Sequence, residues 1–99
     1  MSATFVSLRL LFGGYLNLGW IDEYDDPWDA VTDFVNSEPD ASDLPGEVGA
    51  LLSSQPQEDE LRRLIIDELG SGYLLESDGW RYDEWLAELA VRVREATQP

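Results

Sequence analysis

The chain has 99 residues, 43% of them hydrophobic, and sets 21 Asp and Glu against 6 Lys and Arg, a formal net charge of −15 at pH 7. A chain of this length holds one domain with one core, and its lack of cysteine and histidine excludes disulfides, a thiol nucleophile, thiolate metal sites and the commonest acid–base catalyst. So negative a field repels nucleic acid and anionic lipid and attracts basic proteins.

The first segment carries Phe5, Leu8, Phe12 and Tyr15, whose spacing predicts one helical face, with Ser2 or Thr4 as the residue that caps its start. Residues 5–10 also alternate, so a short strand stays open there. Gly13 and Gly14 each cost about 1 kcal/mol in a helix interior relative to alanine. They point to a close approach by another helix, or by Trp20. Residues 11–35 gather Phe12, Tyr15, Trp20, Tyr24, Trp28 and Phe34 without a basic side chain. Aromatics of this size dominate small cores, so the flanking elements are expected to dock here, around an acidic connection of Asp22, Glu23, Asp25 and Asp26.

Asp26-Pro27-Trp28-Asp29 predicts a helix start: an acidic cap, proline at the first helical position and a further carboxylate facing the positive end of the dipole. Trp28, Val31 and Val35, flanked by Phe34, form its expected buried stripe, and Pro39 ends it. Asp43, Pro45 and Glu47 announce a third helix with Leu44, Val48, Leu51 and Leu52 on one face, weakened by Gly46 and Gly49. A fourth begins at residues 55–60 with Glu58, Asp59 and Glu60 in its first turn, followed by Leu61, Leu64, Ile65 and Leu69. Glu58→Arg62 and Asp59→Arg63 have the favoured order for ion pairs one turn apart, and Gly70 suits the position that stops the helix. Residues 71–80 predict a loop or short extended segment. The last helix covers residues 82–95, lined by Trp85, Leu86, Leu89 and Val93, with Arg92 and Arg94 complementing its negative end. No internal repeat is visible. The expected fold is all-α, a single domain over residues 1–99 built from four to five short packed helices.

The charge is unevenly placed. All basic residues are arginine, and none falls between Arg9 and Arg62, where thirteen acids lie. Arg9 interrupts the apolar N-terminal run and no basic region precedes it, so a signal peptide is not expected; nor does any run reach transmembrane length. A cytoplasmic protein is the expectation. The plainer account of the charge is solubility or adaptation to salt, since net charge speaks to association and not to fold.

Within this field Asp22, Glu23, Asp25 and Asp26 on one connection, Glu58, Asp59 and Glu60 at a later helix start, and Trp80 beside Asp78-Gly79 make up the candidate partner-binding surface. Tryptophan is enriched among residues that carry binding energy. Core packing is the expectation for Trp28 and Trp85. The carboxylates lack the order of a calcium loop, and a chain this acidic makes close carboxylate pairs by chance, which weakens a glycosidase reading. No catalytic, cofactor-binding or metal-binding residue is assigned.

Several motifs stand in a recognisable order: Leu11-Phe12-Gly13-Gly14-Tyr15, then Trp20, the Asp26-Pro27 start, the Glu60-Leu61 helix with its exit Glu68-Leu69-Gly70-Ser71-Gly72-Tyr73, and Tyr82-Asp83-Glu84-Trp85-Leu86. Across residues 11–91 the chain resembles the small helical immunity proteins of bacterial contact-dependent growth inhibition systems. The resemblance implies a protein that binds the C-terminal toxin domain of its own system and blocks it, without enzymatic activity or cofactor. Two departures stand out. Asn17-Leu18-Gly19 occupies a place where members commonly carry histidine or aspartate, and Arg81 stands where a threonine cap is usual. No toxin-contacting residue carries over, because those positions differ between members.

The expected partner is a basic, nuclease-like toxin domain whose cleft an anionic surface occupies; the free protein is expected to be a monomer that binds neither nucleic acid nor membrane. The alternative is an acidic DNA mimic that binds a basic regulatory or nucleoid protein, which accounts for the charge but not for the order of the motifs. A small enzyme is disfavoured by the missing His and Cys.

Overall fold

Phe5 stands at the cap position of the first helix and has no side-chain acceptor to offer it. The structure, a computed structural model that describes residues 5–97, supplies that acceptor from a distant helix. In α1 (Val6–Leu10) the backbone N–H groups of Ser7 and Leu8 each donate to the Glu47 carboxylate at 3.0 Å. These are two of the N–H groups that a helix start leaves without an internal partner. The segment is therefore helix and not strand, while the Ser2 and Thr4 caps expected for it lie outside the described residues. α1 runs directly into a π-helical turn, Leu11–Tyr15. A Cβ on Gly13 would lie 2.9 Å from the Leu69 carbonyl oxygen. The glycine thus permits a close approach, made by Leu69 and not by Trp20.

Next come α2 (Trp20–Glu23), α3 (Pro27–Ser37), a 3-10 turn at Ala41–Asp43, and α4 (Leu44–Ser53). Then follow α5 (Glu58–Arg63), continuing into a second π-helical turn at Leu64–Glu68, a 3-10 turn at Leu75–Asp78, and α6 (Tyr82–Thr97). No strand occurs among the described residues. The fold is all-α, with α2 as one helical turn inside what the sequence presents as a connection.

Asp26 caps α3 as expected: its Oδ1 accepts from Trp28 N at 2.7 Å and from Asp29 N at 3.3 Å. The buried face of α3 is centred on Ala30, Val31 and Phe34, with Trp28 and Val35 half-buried at its edge. α6 buries Trp85, Leu86, Leu89 and Val93 completely. α3 and α6 run parallel, since Trp28 stacks on Trp85 near their starts and Val35 shares a groove with Ala96 near their ends. α4 is antiparallel to α6: the turn that precedes α4 borders Ala96 and Thr97, and the chain leaving α4 reaches the start of α6 at Glu58. Around these helices Leu8, Leu11, Phe12, Leu44, Leu61 and Ile65 join one apolar cluster.

Gly70 adopts a φ of +83° and ends the α5 segment at the expected place. Arg62 does not pair one turn back with Glu58. It reaches Glu76 at 3.0 Å, while Glu58 lies 3.6 Å from Arg81.

Candidate functional site

The parallel packing of α3 and α6 puts their starts at the same end of the molecule, and the Glu58 contacts bring the start of α5 there too. The candidate residues therefore gather at one end, where they divide into two groups. Asp26 is committed to the α3 cap. Glu58 accepts from Tyr82 N at 2.6 Å and from Asp83 N at 3.1 Å, so it caps α6. Glu60 accepts from Gln57 N at 2.8 Å and closes the start of its own helix. Asp22, Glu23, Asp25 and Asp59, in contrast, are exposed and make no side-chain hydrogen bond or ion pair among the described residues. Carboxylates of the first group hold helices in place, and those of the second face solvent.

Trp80 is half-buried, with its ring edge-on to Trp28 at 6.2 Å between centroids. Trp28 in turn stacks on Trp85 at 4.9 Å and an 18° interplanar angle, and the Arg92 guanidinium lies 4.1 Å from the Trp28 ring centre. Arg92 is itself held by Glu88 at 2.8 Å. The three indoles form a row from the surface into the core, where the Trp85 Nε1–H is buried without an acceptor among the described residues.

The acidic connection is tied down on both sides. Tyr24 donates its hydroxyl to Asp33 at 2.5 Å. That bond, reinforced by burial, pushes the phenol up to about 12. On the other side the Trp20 ring meets Tyr73 edge-on at 5.3 Å, and Gly72 N donates to the Leu16 carbonyl at 2.6 Å. A Cβ on Gly72 would fall 2.4 Å from the Asn17 carbonyl oxygen, so only glycine lets these two backbones meet. The acids of the connection and the loop before α6 are thereby neighbours, though 50 residues separate Asp22 from Gly72.

All four tyrosines donate to carboxylates: Tyr15 to Glu38 at 2.7 Å, Tyr24 to Asp33, Tyr73 to Asp78 at 2.7 Å, and Tyr82 to Glu76. Hydrogen bonds to ionised acceptors are the stronger kind. The Tyr82 hydroxyl and then the Arg62 guanidinium hold Glu76 below the usual carboxylate range. Burial, followed by the hydrogen bond to Asp78, pushes the Tyr73 phenol well up. These acids too are structural.

Among the described residues no group of His, Cys, Asp or Glu converges to hold a metal ion. A groove of about 550 Å³ at the opposite end, where α3 and α6 finish, has Glu38 as its one ionisable lining residue among those described. Glu38 is already engaged with Tyr15. The end that gathers the helix starts carries exposed carboxylates and the half-buried Trp80 indole.

A family model described as CdiI immunity protein matches residues 4–93 of the chain. No curated protein and no solved structure matches it.

Proposed function

The chain belongs to the CdiI immunity protein family, and from that membership we propose that it binds the toxin domain of its own contact-dependent growth inhibition system and neutralises it by covering the active-site or substrate cleft. The toxin is a basic nuclease in this proposal, and inhibition is steric and electrostatic without catalysis or cofactor. The match over residues 4–93 carries the proposal, and the charge supports the choice of partner. A nuclease cleft is lined with cations that hold phosphates, and exposed carboxylates such as Asp22, Glu23, Asp25 and Asp59 offer the same sign of charge in its place. Opposite fields raise association rates, toward about 10⁸ M⁻¹s⁻¹ at low salt. Speed matters where the toxin must be caught before it reaches the cell's own nucleic acid. We place the protein in the cytoplasm as a single-domain monomer; no helix among the described residues is long and apolar enough to cross a membrane.

The test is to co-express the chain with the toxin domain encoded beside it. The expected result is survival of the cells, a complex that co-purifies, and loss of nuclease activity in that complex. Survival without a complex, or capture of a DNA-binding regulator in place of the toxin, would overturn the proposal.

A further inference from the structure

Leu18 is 90% exposed and Ile21 71% exposed, more than any other large hydrophobic side chain among the described residues. Single apolar residues on a surface need no explanation, but these two belong to a segment fixed from several directions. Gly19 N and Trp20 N donate to the Asn17 side chain and carbonyl, both at 3.0 Å. Trp20 packs against Tyr73, and the backbone of Asn17 and Leu18 lies so close to Gly72 that a Cβ there would come within 2.5 Å of the Leu18 Cα. The chain orders Leu18 and Ile21 without burying them. Leu74, 42% exposed, stands on the abutting segment.

We propose that Leu18 and Ile21 are the apolar anchors of the toxin-binding face, seated in a cleft of the toxin domain that has an apolar floor and a basic rim. This rests on the immunity function proposed above and adds the surface that performs it. Stable interfaces have an apolar centre within a polar rim, and few residues carry most of the binding energy. Here the rim is Asp22, Glu23 and Asp25, exposed and without an ion pair among the described residues. Their charge selects the occupant. A second copy of this chain would bring the same carboxylates against one another, and an anionic lipid surface would be repelled. A cationic protein cleft is the chemistry that fits.

The experiment uses the full chain and the toxin domain encoded beside it, with association and dissociation rates measured for wild type, Leu18→Ala, Ile21→Ala and the double variant. Removing a central anchor is expected to speed dissociation about tenfold or more and to leave association nearly unchanged. Melting temperatures are expected to stay at the wild-type value, because neither side chain is buried; a fold defect in the double variant leaves the reading to the singles. If wild type binds and every variant dissociates at the wild-type rate, the anchor is overturned while the immunity function stands. If wild type does not bind the toxin domain, both are overturned. Sedimentation that shows a wild-type dimer, dispersed in the double variant, assigns the face to a second copy and overturns the anchor.

Discussion

The Glu58 carboxylate accepts the backbone N–H of Tyr82 at 2.6 Å, so the first residue of α5 caps the start of α6. A cap supplied across the fold holds two helices together as well as satisfying one of them. Glu58→Ala is expected to lower unfolding stability by about 1–2 kcal/mol, as lost caps do, and Glu58→Gln by less, because an acceptor remains. Urea denaturation measures both. A Glu58→Ala protein as stable as wild type would contradict the capping role. Loss of toxin binding in that variant would need its stability measured alongside.

The exposed acids are the cleaner probe of association. Replacing Asp22, Glu23 and Asp25 by Asn, Gln and Asn is expected to slow capture of the toxin domain and flatten the dependence of that rate on salt, since rim charges act chiefly on the on-rate. Folding should change little, because exposed charges contribute little to stability. Stopped-flow association at low and physiological salt is the measurement, and wild-type rates in the triple variant would move the electrostatic face elsewhere.

The aromatic core has a larger effect. Trp85 is fully buried against Phe12, Tyr73 and Trp28, and Trp85→Ala is expected to cost about 3–5 kcal/mol. Gly72→Ala is expected to destabilise through a different cause, the collision of its methyl group with the Asn17 backbone. In the alanine variant the 17–21 segment must move, so the tryptophan emission, to which Trp20 contributes, should shift together with the loss of stability. Thermal melts of the two variants check both outcomes.

Alkaline pH should loosen the molecule. Tyr24 is raised from 10.0 to about 12 in the folded chain, first by its hydrogen bond to Asp33 and then by burial. A phenol that holds its proton more tightly when folded contributes stability that is complete below its unfolded value and is lost as pH rises through the folded one. Tyr15, Tyr73 and Tyr82 are shifted in the same direction. Unfolding free energy measured by urea is therefore expected to fall as pH rises from 10 toward about 12, and to fall less steeply in Tyr24→Phe. An identical slope in the two proteins would remove Tyr24 from the account.

The start of α3, the buried line of α6 and the stop at Gly70 were legible in the sequence because each is a local pattern: an acid before proline, a helical period, a glycine where φ turns positive. Glu47 and Glu58 look like ordinary first-turn acids, yet they serve N–H groups 40 and 24 residues away. No local rule finds such a partner. Trp20–Glu23 is too short for a helical period and is one turn braced by Tyr73. Arg62 leaves the partner one turn back because Glu58 is engaged by the backbone N–H groups of Tyr82 and Asp83, and an exposed pair of that kind, worth only about 0.3–0.5 kcal/mol, does not draw it away. The same logic divided the candidate site. Acids that look alike in sequence became caps or free charges once the helix starts were assembled, and the exposure of Leu18 and Ile21 emerged only with the backbone contact at Gly72.

The row of indoles from Trp80 through Trp28 to Trp85 gives the protein an optical property of its own. Rings stacked at 4.9 Å and met edge-on at 6.2 Å are close enough to share excitation. Excitation is therefore shared between the fully buried Trp85 and the half-buried Trp80. Emission from this row reports on the fold and on the environment of Trp80 at once. A partner that settles over Trp80 would announce itself without any attached dye.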